Sequence, residues 1–296
     1  MPKSVHELSL AESINFVLTN RVPRKLLTRL TRRISRIEQP QFTRLAMWLW
    51  QRVGGDLNLQ EAVTDQFRSI HDCFTRELKP GQRNIDNNPD HIVSPSDGIV
   101  VSHGNIDGDI ILQAKGYPYT LSELIPDADI RERYINGRYI TLRLTSTMYH
   151  RFHAPADSTL KRVIFIPGDM WNVNAAAIKK IEKLYCKNER AVLDLELSNP
   201  ERHLAVIPIA AIAVASLKLH SLTDDLDMNY SGPTDIQLQE QYARGQEMGY
   251  FQHGSTIIVL ASENYEFHQD ICSNKVMRMG QPLYAFNPSG EDNEFT

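Results

Sequence analysis

Leu204-Ala-Val-Ile-Pro-Ile-Ala-Ala-Ile-Ala-Val-Ala-Ser-Leu217 is the longest apolar run in the chain, 14 residues containing Pro208 and Ser216. It is too short to cross a bilayer as a helix and reads as a pair of buried strands. Similar β-type runs surround it: Gly98–Val101, Ile110–Leu112, Tyr139–Leu144, Leu160–Ile166, Ala191–Leu197 and Thr256–Leu260. Turn residues punctuate them at Asn105, Gly108, Pro167-Gly168 and Ser231-Gly232-Pro233. One helical insert, Ala175 to Leu184, follows Asn174. Upstream of residue 91 the period changes. Val22, Leu26, Leu27, Leu30, Ile34 and Ile37 recur at helical spacing, with Pro23 placed for a first turn. A second helical stripe, Leu59, Val63, Phe67, Ile70, Phe74 and Leu78, ends at Lys79-Pro80-Gly81. The fold class is α+β: N-terminal amphipathic helices, then a mainly antiparallel β core with a helical insert. The division falls near residue 58, giving segments 1–58 and 59–296. No repeat of 20–50 residues is present.

The 296 residues are 42% hydrophobic and 23% charged, an ordinary globular composition. A net charge of −4 argues against a generic nucleic-acid binder. Cys73, Cys186 and Cys272 are far apart, odd in number and contain no CxxC, so neither a disulfide framework nor a zinc ribbon is written here. A reducing compartment is expected. Glu7 and Glu12 interrupt what would be a signal-peptide core after Lys3, so neither that secretory route nor a transmembrane anchor is expected.

Charge is unevenly spread. Residues 1–55 hold ten Lys/Arg against three acids, a local +7, which leaves −11 on the rest. Arg24, Lys25, Arg29, Arg32, Arg33 and Arg36 lie opposite the first apolar stripe, and Phe42–Trp50 sets Trp48 and Trp50 beside basic residues. A basic face, an apolar face and Trp near the boundary suit a helix lying on anionic lipid. The same pattern suits a helix packed on its own domain with a solvated basic face. Nucleic acid is a third reading, without an aromatic-rich sheet motif to accompany the charge.

Three clusters supply Ser, His and Asp: Ser94-Pro-Ser-Asp-Gly98, Tyr149-His-Arg-Phe-His-Ala-Pro155 and His253-Gly-Ser-Thr256. A nucleophilic serine needs a histidine to take its proton and a carboxylate to orient that histidine. His150 and His153 are three apart, but no HExxH or further ligand follows at metal-site spacing, and no metal is expected. No GxSxG elbow occurs, so a conventional serine hydrolase is poorly supported. Gly254 permits tight backbone geometry at the peptide before Ser255.

Gly254-Ser255-Thr256, preceded by Gly245-Gln-Glu-Met-Gly-Tyr-Phe251, resembles the self-cleavage site of the phosphatidylserine decarboxylases. Val93–Gly98, Tyr149–Pro155, Ile166–Asn174, Leu112–Gly116, Lys187–Arg190 and Phe74–Leu78 fit the same family, in order, from about residue 60 to 285. Residues 1–55 match only in character, as the family's membrane-associating helices. His253 departs from the pattern, standing where the family usually has an apolar residue, and adds a titratable group beside the bond.

The resemblance implies a self-cleaving proenzyme. Asp97, His153 and Ser255 match the cleavage triad. His153 would deprotonate Ser255, Asp97 would hold its imidazole, and Ser255 Oγ would attack the Gly254 carbonyl to give an ester. Elimination and loss of ammonia would leave a pyruvoyl group at the new N-terminus. The products would be a β chain of residues 1–254 and an α chain of residues 255–296. The pyruvoyl group would take phosphatidylserine as a Schiff base, drawing off the charge left by CO₂ and yielding phosphatidylethanolamine. His150 matches the histidine of the decarboxylation step, as proton donor. The resemblance further implies a lyase of phospholipid biosynthesis, peripheral on the cytoplasmic face of the cell membrane. It would be a homodimer of β/α heterodimers whose partners are phosphatidylserine and an anionic membrane surface. A lipid-directed serine hydrolase using the same triad, and a processing-dead membrane-binding relative, are the competing readings.

Overall fold

The structure, a computed structural model, describes residues 23–112, 117–199, 202–211, 216–252 and 255–287. Two helices come first, α1 (Arg24–Ser35) and α2 (Pro40–Gly54). Strands follow in the order β1 (His91–Val93), β2 (Gly98–Asn105), β3 (Ile110–Leu112), β4 (Pro118–Thr120), β5 (Arg138–Leu144) and β6 (Arg151–His153). Then come β7 (Ser158–Ile166), β8 (Arg190–Leu197), β9 (His203–Ala210), β10 (Ser216–Leu219), β11 (Leu226–Asp227) and β12 (Asp235–Tyr242). The last are β13 (Glu247–Phe251), β14 (Ser255–Ala261), β15 (Tyr265–Phe267), β16 (Val276–Met277) and β17 (Pro282–Phe286).

An eight-stranded antiparallel sheet in the order β12-β7-β8-β9-β14-β5-β2-β16 is the frame. Its central strands read as unbroken apolar runs because both faces are covered. Alternate residues of β14 go to opposite sides, as the two-residue period of a strand requires. Ile257 and Val259 join Leu193, Val206, Phe152 and Phe251 on one face. Ile258 and Leu260 join Val192, Ile207, Tyr119 and Tyr185 on the other. The first face is closed by a four-stranded sheet, β11-β10-β13-β6, and a three-stranded one, β1-β17-β15. Short helices and the β3–β4 hairpin close the second. The sequence is thus a mixed α+β chain with mainly antiparallel sheets.

The apolar run around Pro208 does form two strands, but they do not pair. β9 enters the large sheet and β10 the four-stranded one. Pro208 interrupts the β8–β9 ladder between Arg190↔Ile209 and Leu193↔Val206, where its missing N–H removes a donor. The helical insert is two short helices, Ala175–Lys180 and Leu184–Lys187, the first capped by Asn174 accepting from the Ala177 N–H at 2.8 Å.

The stripe at residues 59–78 is not one helix. It holds a 3₁₀ turn at Leu59–Glu61 and a helix, α3 (Ile70–Phe74), whose N-cap is Ser69. Between them the backbone closes on itself through the Ala62↔Leu78 bridge and the Val63 N–H donated to the Glu77 carbonyl. Local capping at Ser69 and this bridge outweigh an apolar spacing in which Val63 is left exposed.

Candidate active site

Ser255 opens β14 at one end of the large sheet, with its backbone in register with Leu144 of β5 and Ala210 of β9. Arg143 faces both Thr256 and Ile99, so Gly98 at the start of β2 falls in the Leu144 row. Two strand spacings then put the beginning of β2, and Asp97 just before it, roughly 10 Å from Ser255. After Leu144 the chain turns and supplies Tyr149 and His150, then His153 in β6. β6 pairs with β13, Glu247 facing His153 and Tyr250 facing Arg151, while the Phe251 N–H donates to the His150 carbonyl at 3.0 Å. β13 ends at Phe251, three positions before Gly254 in the sequence. The strand leading to the Gly254–Ser255 bond and the strand bearing the histidines are therefore hydrogen-bonded neighbours. His253, Gly254 and the Ser255 side chain lie outside the described residues.

His153 is buried, and both ring nitrogens are engaged. Nδ1 lies 2.8 Å from the Gly245 carbonyl oxygen, which can only accept, so Nδ1 carries the proton. Nε2 is then the acceptor and meets the Tyr149 hydroxyl at 2.9 Å. Gly245 sits at φ +77 in the turn before β13, a conformation that glycine adopts freely, and a Cβ there would strike Ile85 at 2.3 Å. Burial pushes the imidazole below its ordinary pKa, and the Gly245 bond only partly opposes this.

Asp97 is also buried, but its carboxylate does not hydrogen-bond the imidazole. Arg83 donates to it twice, Nε to Oδ1 at 2.9 Å and Nη2 to Oδ2 at 2.5 Å, and the Met279 N–H adds a third bond at 2.9 Å. The expectation that Asp97 itself holds His153 is thus replaced by a different arrangement. The Gly245 carbonyl fixes the tautomer, and Asp97 anchors Arg83. Arg83 also pairs with Glu61 at 2.8 Å, and its guanidinium lies 5.9 Å from the centre of the Tyr149 ring. Asp97, Arg83, Tyr149 and His153 are contiguous in that order.

His150 is fully buried, with Nδ1 donating to the Met148 carbonyl at 2.8 Å. Its ring lies tilted against Phe74, 3.8 Å between centroids, and Phe74 in turn stacks on Trp50 at 5.9 Å. Trp50 also donates to Ser146 at 3.3 Å. Trp50 is partly buried against the histidine segment, and Trp48 is half exposed.

The N-terminal helices reverse the ordinary amphipathic arrangement. Among the described residues, Thr28, Ser35 and Thr43 are the buried ones of these helices, while Leu26, Leu30, Ile34 and Ile37 of α1 and its following turn are 40–64% exposed. The arginines of α1 occupy the flank between these faces. Arg32 pairs with Asp227, and Arg36 donates to Gln252 Oε1 at 2.6 Å. The side chains of Arg24 and Lys25 are outside the described ones. Among the described residues no helix is long and apolar enough to cross a membrane.

Comparison with known proteins fits this arrangement. A profile described as phosphatidylserine decarboxylase matches residues 70–285. The chain is 31% identical over 271 residues to a phosphatidylserine decarboxylase proenzyme of Brevibacillus brevis, covering 90% of this chain and 95% of the relative. Proenzymes of the same name from Shewanella sediminis and Acinetobacter baumannii are each 31% identical, covering 92% and 89% of this chain and 98% and 93% of theirs. The chain belongs to the phosphatidylserine decarboxylase family. The family match includes every motif singled out from residue 70 onward, and both histidines and Asp97 fall within it. Three residues that touch the site of this decarboxylase chain carry no local sequence signal for their part. Tyr149 and Gly245 stand inside quoted motifs without an assigned part, and nothing local marks Arg83, whose partner Asp97 is 14 positions away.

Proposed function

We propose that the chain converts phosphatidylserine to phosphatidylethanolamine and CO₂, using a pyruvoyl group made from Ser255 when the Gly254–Ser255 bond cleaves. Family membership over most of the chain carries the reading. Ser255 suits that role in its surroundings. Thr256 through Ala261 are buried, and the Ser255 backbone is registered on both sides, so a new N-terminus there stays in place after the chain is cut. A pyruvoyl carbonyl supplies the electron sink that loss of CO₂ from an amino-acid headgroup requires.

The chain's own residues divide the work. His153, kept neutral by burial, takes the Ser255 proton during cleavage. Asp97 acts on it through Arg83 and Tyr149. His150 returns a proton to the substrate carbon after CO₂ leaves, its orientation fixed by Met148 and Phe74. Residues 1–58 associate with an anionic membrane surface and residues 59–296 carry the chemistry, on the cytoplasmic face, as a homodimer of cleaved pairs.

Intact-mass measurement is the deciding experiment. Wild-type protein should give two pieces, residues 1–254 and 255–296, the smaller lacking a free N-terminal amine. Borohydride added with phosphatidylserine should attach substrate mass to it. Ser255→Ala should remain whole and inactive. A single uncleaved wild-type chain that hydrolyses lipid esters would assign the triad to hydrolysis instead.

A further inference from the structure

The α1 sequence, Arg24-Lys-Leu-Leu-Thr-Arg-Leu-Thr-Arg-Arg-Ile-Ser35, contains no acidic residue. Its arginines stand three and four apart, the spacing at which like charges repel along a helix. Arg32 is paired with the Asp227 carboxylate, and Arg36 just beyond the helix donates to the neutral amide of Gln252. Arg29 and Arg33, four apart, face no carboxylate among the described residues. All four open onto a cavity of about 560 Å³ whose far wall is Met228 and Asn229. The cavity lies on the flank between the exposed Leu26–Leu30–Ile34 stripe and the body of the protein.

We infer that this cavity binds the phosphodiester of a phospholipid headgroup, held by Arg29 and Arg33. The inference rests on the membrane-lipid reading above and gives it a discrete site. Guanidinium groups match phosphate oxygens in forked pairs, and an anion between Arg29 and Arg33 relieves the repulsion along α1. The apolar stripe beside them offers the acyl chains a surface. Arg36 connects the cavity to Gln252, and only two residues separate Gln252 from Ser255, three steps or roughly 10 Å of chain even when fully extended. A lipid held here by its phosphate has its headgroup on the side of the cleavage segment.

The test is calorimetric binding of dihexanoylphosphatidylserine, kept monomeric, to the full chain carrying Ser255→Ala, which removes turnover from the readout. Arg29→Gln/Arg33→Gln should weaken binding at least tenfold, and Arg29→Lys/Arg33→Lys should restore it only in part. Arg44→Gln/Arg52→Gln removes the same charge from α2, outside the cavity, and should bind as the parent does. Equal losses from both charge pairs would mean diffuse attraction and overturn the site, as would unchanged binding in the Arg29/Arg33 variant. Inorganic phosphate competing as strongly as the lipid would assign the cavity to a free anion and also overturn the lipid assignment. None of these outcomes depends on decarboxylation. Failure of the decarboxylase reading would show separately, in the intact mass and turnover of wild-type protein.

Discussion

The Tyr149 hydroxyl lies 2.9 Å from Nε2 of His153, on the nitrogen that the Gly245 carbonyl leaves without a proton. The lone pair needed to accept the Ser255 proton is therefore covered by a phenol. Burial pushes that phenol's pKa up, so it stays a neutral donor through the physiological range. Tyr149→Phe keeps the ring against Arg83 and His153 but uncovers the base. Cleavage should accelerate by about what one net hydrogen bond is worth, roughly 1 kcal/mol or about fivefold. The check is the rate at which the 296-residue chain disappears after synthesis. Slower cleavage would show that the hydroxyl passes the proton along.

The depressed pKa of His153 sets a pH window. Burial disfavours the imidazolium, so the neutral base persists below the ordinary histidine value of about 6.5. Self-cleavage should hold its rate as pH falls to that value and decline only beneath it. Stability follows the same sign. Between the ordinary and the lowered value the unfolded chain binds a proton that the native imidazole does not. The native state is thus fully favoured above about 6.5 and loses stability as pH falls through the window. Gly245→Ala, strained by positive φ and by Ile85, should lower the midpoint of the cleavage profile further, because displacing the carbonyl removes the one bond that opposes the effect of burial. A profile centred at or above the ordinary histidine value in wild-type protein would contradict the buried-base description.

Arg83 and Asp97 should not be interchangeable in their effects. The Arg83 side chain is 5% exposed and the Asp97 side chain 11%, and their pair is bidentate. Arg83→Gln leaves two carboxylates, Asp97 and Glu61, without their shared cation, a loss of about 3–5 kcal/mol for a buried pair broken on one side. Asp97→Asn keeps the Met279 N–H bond and leaves Arg83 with Glu61. It should cost less stability while still slowing cleavage. Thermal melts and cleavage rates of both variants, measured together, separate the two effects.

Strand positions around the Pro208 run and the motif order were readable because each is carried by contiguous residues. The β8, β9 and β14 runs are apolar throughout, since both sheet faces are covered, and Asp97, His150, His153 and Ser255 sit in short motifs that the fold delivers to one sheet end. What escaped depends on distant partners. Asp97 looked like the holder of His153 because nothing local shows Arg83, 14 residues upstream, reaching it first. The stripe at 59–78 looked helical because spacing cannot show the Ala62↔Leu78 bridge. β12 escaped as well, since its alternating polar residues Asp235-Ile-Gln-Leu-Gln-Glu-Gln-Tyr242 form an exposed edge strand without an apolar run.

Cleavage should not release residues 255–296. β14 is held between β5 and β9 over seven paired positions on each side, and β16 and β17 are locked to β2 and β1. The cut pieces share one core, so they should co-elute in size exclusion and part only in denaturant. Separation under native conditions would mean that the bond breaks in a chain that has not completed the large sheet.

The exposed stripe of α1 makes a prediction opposite in kind to that of its arginines. Leu26, Leu30, Ile34 and Ile37 are 64%, 51%, 40% and 45% exposed, so folding gains little from them. Replacing all four with Gln should leave the melting temperature nearly unchanged, since exposed substitutions cost within about 0.5 kcal/mol each. On a lipid surface the same residues have their remaining area to bury, worth about 1 kcal/mol apiece for a half-exposed side chain. Binding to uncharged phosphatidylcholine vesicles should then weaken by two to three orders of magnitude, roughly 4 kcal/mol in all. The loss should be insensitive to salt, because hydrophobic burial is not screened, whereas any part contributed by arginine fades as ionic strength rises. Vesicle sedimentation across a salt series checks both points. Unchanged binding to neutral vesicles would show that the stripe is not the surface that meets the membrane.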